Sequence, residues 1–178
     1  MLGAAFFTSL LLYLKYDTKG YYYGFGCTFC NNTLPYNVKP KYNFDYPQSF
    51  VLLDDDGYEL AGSGFSYETT NFKIKDVLDY GYNDTSIVMK CTDSTNNIRY
   101  LMSYKTGYKS KKGNPEVSFK DFYFRDFKKA SEYYHWIDLD NQKGDRIRLY
   151  KTWSFVGSLV SLFLIARTMF RFRKGKAT

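Results

Sequence analysis

Two apolar runs bracket this chain, and a stretch of alternating apolar and polar positions lies between them. Met1 to Leu14 carry no charged side chain, and Lys15 breaks the run. Thr152 to Phe170 carry a single charge, Arg167, and a basic segment follows at once. At ~1.5 Å of rise per residue the second run makes a helix of roughly 28 Å, close to the ~30 Å hydrocarbon core of a bilayer. The first run makes roughly 21 Å, short for a span unless the bilayer thins or a partner helix covers its end.

The flanks of the second run set its orientation. Trp153, an interfacial residue type, stands at its start with Lys151 just outside. Arg171, Arg173, Lys174 and Lys176 crowd its far end. A cationic cluster abutting a span holds to the cytoplasmic side, because carrying it across the bilayer is costly. Arg167 lies one turn before that end, so its long side chain reaches the headgroups. Gly157 and Ser161, with Ser154 and Ser158, offer a small-residue stripe on which a second helix can pack. The first run lacks a positive leading segment and a small-x-small cleavage site. It therefore reads as a short span or signal anchor, with a cleaved signal peptide as the alternative. Either way the middle of the chain faces away from the cytoplasm.

Within that middle, residues 20–48 are rich in Tyr, Asn and Pro and show no period, which reads as an extended aromatic connector. Strand patterns begin at Phe50. Phe50 to Leu53 and Tyr58 to Leu60 flank Asp-Asp-Asp-Gly, a hairpin turn whose glycine supplies a left-handed residue. Phe72 to Tyr80, Ser86 to Thr92 and Ile98 to Tyr104 follow at a spacing of about a dozen residues, as in an antiparallel meander. Phe72, Ile74 and Asp76 share one face, and Val77 breaks the alternation. Val117 to Phe119 read as a short strand. A helix is expected within Phe122 to Tyr134, with Ser118 and Asp121 at capping-box spacing before it. Ile147 to Tyr150 then feed the last span as one continuous helix.

The expected fold is thus α+β, a strand-dominated antiparallel meander carried between a short N-terminal and a C-terminal transmembrane helix. Its parts are a membrane helix or anchor over 1–19, a connector over 20–48, an extracytoplasmic β-rich domain with one late helix over 49–148, a membrane helix over 149–171 and a cytoplasmic basic tail over 172–178.

Charge alters this picture little. The formal charge of +7 invites a nucleic-acid reading, but five of the 25 Lys and Arg lie from Arg167 onward. The remaining 20 face 18 acidic residues, a balance of only +2. The excess belongs to the membrane tail, and the Lys-rich stretch Lys105 to Lys112 reads as a solvated loop, not a phosphate track. Nucleic acid is therefore set aside as a partner.

Candidate chemistry is sparse. Cys27 and Cys30 form a Cys-x-x-Cys pair that oxidises readily outside the cytoplasm, and a local disulfide is the leading reading. A redox-active pair would need a helix after the first cysteine, and Asn-Asn-Thr-Leu-Pro follows instead. Zinc would need further ligands. Cys91, in Ser-Ile-Val-Met-Lys-Cys, reads as a buried strand residue. The single histidine, His135, sits among aromatic residues and reads as a packed, hydrogen-bonded side chain. Asp54, Asp55 and Asp56 fail the calcium-loop pattern and read as exposed turn acids. Gly62-Ser63-Gly64 lacks the third glycine of a nucleotide loop. Asp76, Asp79, Asp84 and Asp93 lie near expected strand ends, without a spacing that argues for catalysis. No catalytic residue, cofactor, metal or small-molecule substrate is evident.

The expected function is that of a non-enzymatic membrane protein whose outer domain binds other proteins, as an accessory or structural subunit of a membrane complex. Its partners would be the bilayer and other membrane subunits. The alternatives are an immunity or inhibitor protein that captures a toxin or hydrolase, and a thiol-disulfide protein working through Cys27 and Cys30. The expected location is a bacterial inner membrane with the main domain outside, or a mitochondrial inner membrane with that domain in the intermembrane space.

Overall fold

A computed structural model describes residues 2–29, 34–43, 49–64, 66, 72–122 and 132–174. Two antiparallel sheets carry the middle of the chain, and a helix lies at each end. Helix α1 runs Leu2–Tyr22. Strands β1 (Lys39–Asn43), β2 (Ser49–Leu53) and β3 (Glu59–Gly62) form a three-stranded sheet in that order. Strands β4 (Ile74–Tyr82), β5 (Ile87–Asp93), β6 (Ile98–Lys109), β7 (Pro115–Asp121) and β8 (His135–Asp138) form the second sheet, in the order β7-β6-β5-β4-β8. Helix α2 then runs without a break over Asn141–Lys174.

The two sheets share one core. Phe50, Leu52 and Ala61 come from the smaller sheet, and Tyr80, Met89 and Phe119 are among the residues from the larger. Hydrophobic burial on this scale, roughly 1.5–3 kcal/mol for each large side chain, is what the β-branched and aromatic strand positions supply. Cys91 is fully buried in β5, as its pattern indicated.

The meander from β4 to β7 follows the expected order, and the break at Val77 has a physical cause. The β4–β5 register shifts twice, between Ile74 and Asp76 and between Val77 and Asp79. Each bulge adds a residue and flips the alternation. The hairpin β2–β3 also forms where expected, with Gly57 at φ +94 in its turn.

Four readings need correction. The extended connector holds a strand that was not expected: β1 lies in it and pairs with β2, with Tyr42 opposite Phe50. Its sequence, Lys-Pro-Lys-Tyr-Asn, has no apolar alternation, and Pro40 is tolerated because β1 is an edge strand. The turn acids are not exposed, since Asp54 and Asp55 are both buried, at 8% exposure each. Ser118 lies within β7 and Asp121 ends it, so the capping-box pair is part of a strand; the helix expected within Phe122 to Tyr134 falls mostly outside the described residues. His135 is exposed at the sheet edge, its ring 5.6 Å from that of Tyr82.

The acids of the β2–β3 turn are buried because another hairpin covers them. Asp55 accepts hydrogen bonds from Asn114 Nδ2 at 2.8 Å and Lys112 Nζ at 3.3 Å. Asp56 accepts one from the Lys111 backbone N–H at 3.0 Å. The Lys-rich tip after β6 is thus a clasp between the sheets. Hydrogen bonding from Asn114, with Lys112 behind it, holds the Asp55 carboxyl below its ordinary range despite burial.

Candidate functional site

The first candidate feature is the junction where the helices meet the domain. Helices α1 and α2 pack antiparallel along their lengths. The ring centroids of Tyr13 and Phe155 are 5.5 Å apart, and those of Tyr16 and Tyr150 are 5.1 Å apart. Nearer the chain ends a side chain at Gly157 would stand 3.2 Å from Ser9 Oγ. The covered residues of α2 include Lys151, Ser154, Ser158 and Ser161, at alternating steps of three and four. That is the stripe a helix presents to one neighbour. The rest of α2 is open: Trp153, Phe163 and Phe170 are all about two-thirds exposed. Phe7 and Leu11 of α1 are equally open.

Among the described residues one helix is long and apolar enough to cross a membrane, over Gln142–Arg171, and almost none of its most apolar window is buried. Arg167 and Arg171 are exposed on it. Arg173 and Lys174 continue its backbone, and Lys176 lies outside the described residues.

At the domain end of this pair sits a charged contact that the sequence reading missed. Asp17 is 1% exposed, and its Oδ1 lies 2.7 Å from Lys151 Nζ. That approach is an ion pair by distance, though its angles fall outside those of a hydrogen bond. The other carboxylate oxygen accepts the backbone N–H groups of Thr28 at 2.9 Å and Phe29 at 3.1 Å. Lys151 Nζ also donates to the Gly26 carbonyl at 3.3 Å. The chain leaves α1, turns at Gly24 with φ +80, and returns alongside both helices. Gly24 is required there, because a Cβ would fall 2.6 Å from the Lys41 carbonyl carbon. The available signal was helical spacing: Tyr13, Asp17 and Gly20 continue one face across the charges that seemed to end the run.

Cys27 is disulfide-bonded, and Cys30 lies outside the described residues. The Cys27 sulfur lies 3.1 Å from Asp17 Oδ2. A disulfide sulfur carries no proton, so this is a close contact and not a hydrogen bond.

The domain is fixed to α1 as well. Tyr80, fully buried in β4, donates its hydroxyl to the Tyr22 carbonyl at 2.6 Å. The Tyr22 and Tyr82 rings stack 5.5 Å apart. Burial raises the Tyr80 hydroxyl well above its ordinary range.

The second feature is a cleft of about 430 Å³ beside this junction. Tyr23, Phe25, Tyr42 and Phe50 give it aromatic walls. Asp76, Asp79, Asp138, Asp140 and Asp145 also line it, and among the described residues none that lines it is a cation. The bulge between Val77 and Asp79 lets two residues three apart in β4 serve one cavity. Lys90 pairs with Asp79 at 3.1 Å, Lys143 with Asp138, and Arg148 with Asp145 at 3.5 Å. Asp140 caps α2 by accepting the Gln142 N–H at 2.9 Å. Burial raises the Tyr23 hydroxyl; Lys143 opposes this, and Asp138 and Asp140 add to it. Of the acids singled out in the sequence, the cleft gathers Asp76 and Asp79. Asp84 and His135 line a separate hollow of the same size, and Asp93 holds its own turn.

No family model, curated protein or solved structure matches the chain.

Proposed function

We propose that the protein is a non-enzymatic membrane-anchored subunit. Its β-rich domain stands outside the cytoplasm and binds other proteins of a membrane complex. The observation that carries this reading is the helix pair, whose open surface over the two apolar runs is made mostly of large apolar side chains. Such surface is stable in lipid or against other membrane helices and costly in water. The apolar part of α1 ends at Leu14 and reaches only roughly 20 Å, so α1 gains most from neighbours in the bilayer. The basic stretch that closes α2 favours the cytoplasmic side, which leaves the domain on the other.

The redox alternative is weakened by the surroundings of Cys27. A reactive thiolate is stabilised by a helix N-terminus or a cation, and a carboxylate lies 3.1 Å from this sulfur. Purification of the intact chain in a mild detergent tests the proposal. Stoichiometric membrane companions are expected, and a solitary monomer under the same conditions would refute it.

A further inference from the structure

The cleft beside the junction combines two features that neither fold nor anchoring requires. Its walls are aromatic, and its charge opposes that of the chain as a whole. Lys90, Lys143 and Arg148 answer three of its five carboxylates. Among the described residues no cation lies within ion-pair distance of Asp76 or Asp140. The start of α2 brings some positive dipole to the cavity, and the Asp140 cap offsets it. The Tyr23 and Phe25 rings stand nearly parallel with centroids 6.3 Å apart, and Phe25 meets Tyr42 edge-on at 5.5 Å. Gly144 lets Phe25 seat closely, since a Cβ there would come 3.2 Å from the ring.

From this cavity we infer that the protein has a binding site for a small organic cation, of the alkylated ammonium type. Aromatic faces and carboxylates that outnumber the cations beside them together select such a group: the rings meet its alkyl surface and positive charge, and the acids supply the countercharge. The volume falls in the range of small-molecule sites, about 300–1,000 Å³. A metal ion fits poorly, because among the described residues no three His, Cys, Asp or Glu side chains gather as ligands. The cleft also stands at a suitable height. Gly144 precedes the apolar run by eight residues, about 12 Å of helix, which puts the cleft just outside the ~5–8 Å headgroup layer. The ammonium group can therefore come from a lipid headgroup or from a free solute.

The test uses the full chain in a non-ionic detergent and choline chloride as the probe, read by isothermal titration calorimetry against sodium chloride at equal ionic strength. One saturable site is expected. The uncharged isostere 3,3-dimethylbutanol should bind at least about tenfold more weakly, and so should choline to the Asp76→Asn/Asp140→Asn variant. Both substitutions keep shape, and Asn remains a good helix cap. If the variant loses its native melting transition, the isostere comparison on the unaltered chain decides. Nanodiscs then separate the sources. Choline binding lost in phosphatidylcholine but kept in phosphatidylglycerol assigns the lipid headgroup, and binding kept in both assigns a free solute. No heat beyond the sodium control, or an isostere that binds as tightly as choline, overturns the inference.

Discussion

Removing the carboxylate of Asp17 should loosen the whole junction, because that one group serves three neighbours. It faces Lys151 across the helix seam and accepts two backbone N–H groups from the returning loop. Asp17 is 1% exposed and Lys151 19%, so solvent screens the pair only slightly. Breaking a buried pair by deleting one member costs about 3–5 kcal/mol, since the survivor stays charged and unpaired. For a chain of this length each kcal/mol lowers Tm by about 2–4 °C, so Asp17→Ala should lower it by roughly 6–20 °C.

Companion variants separate the charge from the hydrogen bonds. Asp17→Asn keeps an acceptor for Thr28 and Phe29 and loses only the charge, so it should cost less than Asp17→Ala. Lys151→Met leaves Asp17 buried, charged and without its cation. The double variant Asp17→Asn/Lys151→Met removes both charges and should be more stable than the sum of the single losses implies. Thermal unfolding in detergent, followed by circular dichroism, measures all four. Strict additivity, or an Asp17→Ala variant within about 0.5 kcal/mol of the parent, would show that the pair does not hold the junction.

Four further outcomes follow from other parts of the structure. Val160 is half-exposed on α2, so Val160→Arg should impair membrane insertion by about 2.5–3.5 kcal/mol, measurable as a shift from membrane pellet to supernatant; an aqueous helix surface would tolerate it. The Cys91 thiol is pushed up to about 12 by burial, with Asp121 and Asp93 adding to the effect, so thiol reagents at pH 8 should modify it only after unfolding. Hydrogen bonds from Thr95, then Asn97 and Arg99, hold the Asp93 carboxyl far below its ordinary 3.8, against the raising effect of burial. The stability it contributes is complete above about pH 4 and fades as pH falls toward the folded-state value, so Asp93→Asn should lower Tm more at pH 7 than at pH 3. Gly62→Ala would push a Cβ against Val51 and to 2.9 Å from the Phe50 carbonyl oxygen, and should cost about 1–3 kcal/mol in thermal unfolding.

What the sequence reveals, and what it hides, follows from the range of the interactions. The meander from β4 to β7 was legible because each strand is a run rich in β-branched or aromatic residues and each turn has its own Asn, Asp or Gly. Strand β8 was not: His-Trp-Ile-Asp is short and unpatterned, and its place is fixed by Gly81, whose missing side chain makes room for Trp136. The exposure of the Asp54–Asp56 turn was misjudged for a similar reason, because its cover comes from a hairpin more than fifty residues later. The cleft was the least legible feature. Its carboxylates come from β4, the end of β8 and the start of α2, and no local pattern records that they meet.

These long-range contacts also bear on how the domain is carried. Only Leu139 and Asp140 separate β8 from α2, and Asp140 caps the helix at once. On the other arm, the last turn of α1 is bound through the Tyr22 carbonyl to a fully buried tyrosine. The Asp17–Lys151 pair then ties one arm to the other just before the apolar run of α2 begins. A sheet held this way cannot swing on a flexible tether, because turning it would break the Tyr80 bond and the Tyr22–Tyr82 stack together. The cleft shares residues with both the sheet and the start of α2, so its height is set by the helices themselves. A ligand or partner reaching it meets a surface already in position, and its binding energy is not spent on ordering the domain.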